Sequence, residues 1–558
     1  MNVFEFRNRV ISDYGAYIRS FISIRDGRIR ERVETDLQGG LLWPEPRIGL
    51  NPAFAEGAWI DELVHQKALH PECGKIFRIK PTAHDAGTGL KLHRHQLEAV
   101  HAAQKGRNYV LTTGTGSGKS LAHIVPIVDA VLKRGPHKGI QAIVVYPMNA
   151  LANRQDQELT KFLCHGYPDG KGPVTFRLYT GQEDDEKRQQ ILADPPDILL
   201  TNYVMLELIL TRVDERKLIQ TAKGLRFLVL DELHTYRGRQ GSDVALLVRR
   251  TRDACEASQL QHVGTSATMA TEGTFESQRQ EVARVASLIF GAPVEPPDII
   301  GETLRRATPE PDLEDSTFRE ALTRRLTDAA SPPPAEYQAF IQDPLSRWIE
   351  GAFGLTSEAE SGRLLRAAPR PIGGPEGGAV ELSSLTGIPS DQCGRAVQEQ
   401  LLAGYAIRQP DSPFPVFAFR LHQFISRGDT VYATVEVEAE RYLTVYPRRY
   451  VPGDRGRLLF PLTFYRGCGQ EYYTVRLIEE PTGPRMEGRA FDAKPIEATG
   501  TLGYLYLNTA EPWTLVPENL PDDWLEPGDN GRMKHHLREA IPRELAVGRI
   551  QREQAKTR

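Results

Sequence analysis

Between Leu92 and Gly291 short apolar runs alternate with longer amphipathic stretches. The runs are Asn108–Thr112, Ala142–Pro147, Thr175–Tyr179, Asp197–Thr201, Phe227–Leu230 and His262–Thr265, each rich in β-branched or aliphatic residues. The stretches between them, among them Asn149–Leu163, Glu183–Leu192, Tyr203–Arg212 and Asp243–Glu256, have helical length and spacing. Strands that alternate with helices predict an α/β fold: a parallel sheet with helices on both faces, its ligand at the C-terminal ends of the strands.

The flanks follow other rules. Apolar residues at helical spacing from Phe4 to Phe21 predict a core-facing helix, the start of an α-helical lead-in over residues 1–90. Arg25, Arg28, Arg30 and Arg32 follow, a pattern that suits a solvated helix face as well as a nucleic-acid contact. Residues 91–295 hold the alternating domain, and residues 296–410 read as a helical, winged-helix-like connector. Within that connector, Tyr337–Phe353 and Leu382–Tyr405 are helical, and Pro369–Gly378, with four glycines and three prolines, reads as a linker. Period-two alternation with many aromatics marks residues 411–530 as β-rich. Its aromatics suit sheet core and could also stack bases. Residues 531–558 form a basic tail: from Arg532 onward eight Lys/Arg stand against three Glu.

Composition narrows the class. Forty per cent hydrophobic and 25% charged residues suit a folded, water-facing chain, and the apolar runs are too short to cross a bilayer. The N-terminus lacks the apolar core of a signal peptide, and five scattered cysteines without a CxxC pair suit a reducing, cytoplasmic setting. With a net charge of −4, any grip on nucleic acid must come from local patches.

Chemistry concentrates at three strand ends. After Asn108–Thr112 comes Thr113-Gly-Thr115-Gly116-Ser117-Gly118-Lys119-Ser120, a glycine-rich turn that opens a helix. Backbone N–H groups of such a turn cradle phosphates, Lys119 reaches the β- and γ-phosphates and Ser120 is placed on Mg²⁺. Thr113 stands where this pattern expects its first glycine. After Phe227–Leu230 come Asp231 and Glu232, the first placed to hold Mg²⁺ and the second to act as general base on the attacking water. After His262–Thr265 come Ser266-Ala-Thr268, whose hydroxyls can bond to the Asp231–His234 loop and relay the state of the γ-phosphate.

In this order Gln96, the P-loop, Tyr146-Pro147-Met-Asn-Ala-Leu-Ala, Tyr179-Thr-Gly181-Gln, Leu200-Thr201-Asn202-Tyr, Asp231-Glu-Leu-His234 and Ser266-Ala-Thr268 resemble the motif series of superfamily 2 DEAD/DEAH-box helicases. The run from Asp231 to Ala245 is similar to the branch of large prokaryotic Mrf-type repair and phage-defence helicases. The resemblance implies a RecA-like lobe that uses ATP and Mg²⁺. It also implies that Gln96 reads adenine, that His234, Ser266 and Thr268 couple the site, and that Pro147, Gly181, Thr201 and Asn202 meet a nucleic-acid strand, with DNA expected over RNA.

Three features depart from that family, one of them Leu233, a common variation with no obvious chemical cost. No Gln-x-x-Gly-Arg-x-Gly-Arg pattern, the signature of a second RecA lobe, occurs in residues 292–558; Val547-Gly-Arg549 is a poor substitute. Relatives imply a cysteine pair near Cys468, but position 465 is tyrosine, so a zinc site is not expected. The expected function is therefore the ATP-binding lobe of a helicase or translocase whose second lobe stands on a partner chain or has been lost. An ATP-sensing adaptor without turnover is the alternative. A small-molecule P-loop kinase explains neither Asp231–His234 nor Ser266–Thr268.

Overall fold

The computed structural model describes residues 2–507 apart from positions 22, 115, 268–273, 328–331, 359–361, 411–413, 428–429, 482–484 and 491–499, together with residue 534. The expectations for Thr115, Thr268, Val547–Arg549 and the basic tail other than Lys534 lie outside the described residues. Two compact units emerge. Of the described residues, those within 51–310 and 354–366 form one, and those within 1–50, 311–353 and 367–558 form the other.

The first unit is built on a seven-stranded sheet. Its strands are β1 (Tyr109–Thr112), β2 (Ala142–Tyr146), β3 (Phe176–Tyr179), β4 (Ile198–Asn202), β5 (Phe227–Leu230), β6 (Gln261–Ser266) and β7 (Ile299–Gly301). Their spatial order is β7-β1-β6-β5-β2-β4-β3, and every pairing is parallel. Side chains alternate between the two faces, as strand geometry demands. Tyr109, Leu111, Val144, Leu200, Val229 and Val263 enter one core with helices α1 (Arg94–Gln104), α2 (Lys119–Arg134) and α3 (Asn149–Leu163). Val110, Ile143, Val145, Leu199, Leu228 and Leu230 enter the other with α4 (Tyr203–Thr211), α5 (Gly238–Ala254) and α6 (Phe275–Phe290). With apolar layers on both faces, the strands are apolar on both sides, and that continuous pattern distinguishes them from half-exposed strands.

Two elements here depart from expectation. The domain gains a seventh strand, β7, from the segment read as connector, and α5 starts at Gly238, five residues before the helix expected from Asp243. A hairpin of β8 (Leu355–Ser357) and β9 (Leu364–Arg366) also belongs to this unit, although its neighbours in sequence belong to the other.

The second unit contains helices Val3–Phe21, Gly27–Gln38, Ser316–Thr327, Tyr337–Gln342, Pro344–Ile349, Gly378–Thr386 and Ser390–Ala406, and a six-stranded sheet between Tyr432 and Leu505. Its sheet is antiparallel and closes over Ile29, Val431, Phe460, Leu462, Tyr473 and Val475, so these aromatics and aliphatics are core. The first helix is less core-facing than its spacing suggests. Phe4 is buried, but Phe6, Tyr17 and Phe21 are about half exposed. Arg32 pairs with Asp36 at 2.8 Å and Arg28 donates to the Glu438 carbonyl, so this part of the arginine run is engaged within the chain. The linker read at Pro369–Gly378 is partly structured: Arg370–Pro371 pairs with Arg47 and Ile48, and Gly378 opens a helix. Among the described residues, no helix is long and apolar enough to cross a membrane.

Candidate nucleotide site

Strand β1 ends at Thr112 and α2 begins at Lys119, so the P-loop fills the gap between them. Gly116 and Gly118 have φ of +85° and +71°, the left-handed region that a side chain resists, and this curls the loop. Gly118 is the N-cap of α2, so the positive end of that helix faces the space the loop encloses. Thr113 is fully buried and its hydroxyl lies 2.7 Å from that of Ser117. The threonine in the first-glycine position thus staples one limb of the loop to the other.

Lys119 carries the central charge. Its Nζ is buried, has no hydrogen-bond partner and stands 3.7 Å from Glu232 Oε1. A buried ammonium without a hydrogen-bond acceptor is costly, and phosphate oxygens would supply what is missing. Ser120 follows on the first turn of α2, and Asp231 lies at the end of β5, two strands away. One hydroxyl and one carboxylate are the hard oxygen donors that Mg²⁺ takes alongside phosphates and water, so these residues suit the ion.

The acidic loop is held by the neighbouring strand. Thr265 at the end of β6 donates its hydroxyl to Asp231 Oδ1 and accepts the Glu232 N–H at 3.2 Å. Burial is the main influence on Asp231 and lifts its carboxyl above the ordinary range; the nearby Glu232 adds to the rise, while the Thr265 hydroxyl and Lys119 oppose it. Glu232 has φ +52° and ψ +55°, a left-handed backbone unusual for a side-chain-bearing residue. His234 Nδ1 lies 3.2 Å from Glu232 Oε2 and 3.2 Å from Ser266 Oγ. The structure therefore brings Lys119, Asp231, Glu232, His234 and Ser266 into one connected set. Thr265 belongs with them and was missed, although its place just before Ser266 was the available signal.

Gln96 is buried on α1 against the loop. Its Oε1 accepts the His93 N–H at 2.8 Å, and its Nε2 donates to the Gly118 carbonyl at 2.9 Å. Next to it, His95 Nε2 donates to the Ser117 carbonyl at 2.9 Å. Burial, aided by His95 and Arg305, pushes His93 down to about 4, so this imidazole is neutral at physiological pH.

The candidate nucleic-acid residues gather at the other half of the same edge. Strands β2, β4 and β3 are neighbours in register, with Thr201 opposite both Val145 and Tyr179. Gly181 is exposed and Pro147 half-buried, beside Met148, which is 61% exposed. Thr201 and Asn202 point inward. Thr201 donates to the Tyr179 carbonyl at 2.6 Å; Asn202 Nδ2 donates to Asn149 Oδ1 at 2.7 Å and to the Thr180 carbonyl at 3.0 Å, and its Oδ1 caps α4 through the Met205 N–H. These two side chains fix the loops that carry Pro147 and Gly181. In the second unit, Cys468 is an exposed free thiol.

A P-loop on β1, a carboxylate pair on β5 and a hydroxyl-bearing loop on β6 of a parallel sheet define a P-loop nucleotide-binding domain. Residues 93–275 match the family model of the DEAD/DEAH box helicase, and the chain carries that domain. An ATP-dependent helicase of Bacillus subtilis (strain 168), YprA, is 32% identical over 195 residues, 35% of this chain and 25% of its own. The ATP-dependent helicase HRQ1 of Saccharomyces cerevisiae is 30% identical over 202 residues, 35% of this chain and 18% of its own. Among solved structures, the DUF1998 helicase MrfA bound to DNA aligns with a TM-score of 0.35 at 22% identity, over 54% of this chain and 40% of that one. The chain thus spans about a quarter or less of the length of these curated relatives.

Proposed function

We propose that this chain provides the ATP-binding lobe of an ATP-dependent nucleic-acid helicase or translocase, with DNA as the expected strand. The observation that supports it most is the buried Lys119 ammonium, without a hydrogen-bond partner and 3.7 Å from Glu232. In this reading the P-loop N–H groups and Lys119 hold the phosphates. Ser120 and Asp231 hold Mg²⁺, which when bound neutralises charge on the β- and γ-phosphate oxygens. Glu232 takes the proton of the attacking water; its left-handed backbone and the Thr265 hydroxyl aim it. His234 and Ser266 transmit a shift of Glu232 to β6. Gln96, packed on Gly118, borders the base, and the Pro147 and Gly181 loops meet the strand backbone.

A motor of this kind also needs arginines on the far side of the γ-phosphate, worth about 10³–10⁵ in rate. Residues 292–558 hold no Gln-x-x-Gly-Arg-x-Gly-Arg pattern, so in this reading those arginines belong to a second lobe beyond these residues. The same observation supports a second reading, an ATP-sensing nucleic-acid-binding adaptor. ATP turnover by the chain, measured with and without single-stranded DNA beside a Glu232→Gln control, separates the two. Turnover that DNA stimulates and Glu232→Gln abolishes supports the motor; ATP binding without turnover supports the adaptor; no ATP binding overturns both.

A further inference from the structure

Strand β7 runs beside β1, with Gly301 opposite Thr112, so the chain leaves the sheet next to the start of the P-loop. The next residue, Glu302, accepts the Gly114 N–H at 3.1 Å. Its carboxylate is gripped at two points by Arg366 from the end of β9: Nε to Oε1 at 2.6 Å and Nη2 to Oε2 at 2.9 Å. The guanidinium packs directly against the loop, since a Cβ at Gly114 would fall 2.8 Å from Arg366 Nε. The Arg366 guanidinium carbon also sits 5.4 Å from the centroid of the Phe54 ring, which meets His93 and His95. Arg363, three residues earlier, donates to the Glu302 carbonyl at 2.7 Å and stacks 3.3 Å above Phe275. The hairpin β8–β9 is therefore clamped to the loop from outside the DEAD/DEAH segment.

Sheet order locates this clamp. Asp231 and Glu232 follow β5, on one side of β1; Glu302 follows β7, on the other. Arg366 is thus on the side of the P-loop away from Glu232 and does not replace the arginines of a second lobe. Its role follows from charge. Glu302 brings a carboxylate onto a loop built to receive a polyanion, and a lone carboxylate there would repel phosphate. Arg366 cancels that charge, and its two-point grip fixes where Glu302 can hold Gly114.

We propose that Arg366 is a positioning residue of the nucleotide site: through Glu302 it anchors the leading limb of the P-loop and neutralises the carboxylate that would otherwise oppose the triphosphate. The inference rests on the reading that this P-loop binds ATP.

Equilibrium binding of ATP and of ADP to the full chain tests it, with Arg366→Ala, Arg366→Lys, Glu302→Gln and the double variant Glu302→Gln/Arg366→Gln. Arg366→Ala should weaken ATP by about ten-fold or more, and ADP by less, because the repulsion scales with the ligand's charge. Arg366→Lys, which keeps the charge and loses the fork, should fall between. The double variant, with no charge left to compensate, should bind ATP within about three-fold of the unaltered chain. ATP binding unchanged in Arg366→Ala overturns the proposal, as does a double variant as weak as Arg366→Ala, which would make the loss one of packing. If Arg366→Ala does not fold, Glu302→Gln decides: ATP binding at or above the unaltered strength supports the proposal, and a loss of about ten-fold overturns it. Failure of the unaltered chain to bind ATP would instead defeat the proposed function.

Discussion

His234 Nδ1 and Ser266 Oγ lie 3.2 Å apart, and the same imidazole nitrogen is 3.2 Å from Glu232 Oε2. One ring therefore touches both the carboxylate assigned to water activation and the strand-end loop beside it. Ser266→Ala removes the strand-side contact and leaves the P-loop intact. Steady-state ATPase assays should show strand-stimulated turnover reduced by about ten-fold while ATP affinity stays within about two-fold, the pattern of a lost coupling contact. Equal losses in affinity and turnover would place Ser266 in ATP binding instead.

The left-handed backbone at Glu232 makes a stability prediction. Alanine and glycine both delete the carboxylate, but only glycine relieves the conformation. Glu232→Gly should be more stable than Glu232→Ala by about 1 kcal/mol. Urea unfolding of the two variants checks this, and alanine as the more stable of the pair would show that the left-handed turn is not adopted.

Asp231 gives a pH dependence. Burial raises its carboxyl above the ordinary value, so the folded state holds that proton more tightly than the unfolded chain does. Its contribution to stability is complete below the unfolded value and is lost as pH rises through the higher folded value. Without nucleotide, Asp231→Asn should therefore raise the melting temperature at neutral pH and flatten the decline in stability as pH rises above the ordinary carboxylate range, while abolishing Mg²⁺-dependent turnover. Thermal melts over that rise measure the effect; an asparagine variant less stable at neutral pH would contradict it.

Asn202 bonds to two loops and caps α4, so Asn202→Ala should cost about 1–3 kcal/mol in unfolding free energy. If its main role is to fix the Pro147 and Gly181 loops, single-stranded DNA affinity should fall while ATP affinity is kept. Fluorescence anisotropy with a labelled oligonucleotide reads this directly, and unchanged DNA affinity would remove those loops from the interface.

Much of the ATP half was readable because its signals are local. A strand, a glycine turn and a helix start lie within a dozen residues, and β5 ends directly in Asp231-Glu232. The extents of β5 and α3 match their apolar patterns residue for residue. β7 was missed because it is short and polar-flanked, and its place in the sheet is set by pairing with β1, about 190 residues away, rather than by its own pattern. Arg366 was invisible for the same reason. Nothing near Leu364–Arg366 in sequence indicates that Glu302 and Gly114 are its partners. Thr201 and Asn202, expected from their motif to meet a nucleic-acid strand, spend these hydrogen bonds inside the lobe, a use that no local pattern announces.

The parallel sheet also acts as a ruler. Leu230 is paired with Val145, and Val145 with Thr201, so the acidic loop and the Thr201 loop stand two strand spacings apart, about 10 Å. That interval is written in backbone hydrogen bonds and does not change when loop side chains do. The loops at this edge can be exchanged, lengthened or recharged while the separation between the two ends of the edge is preserved, as tools change on a fixed rack.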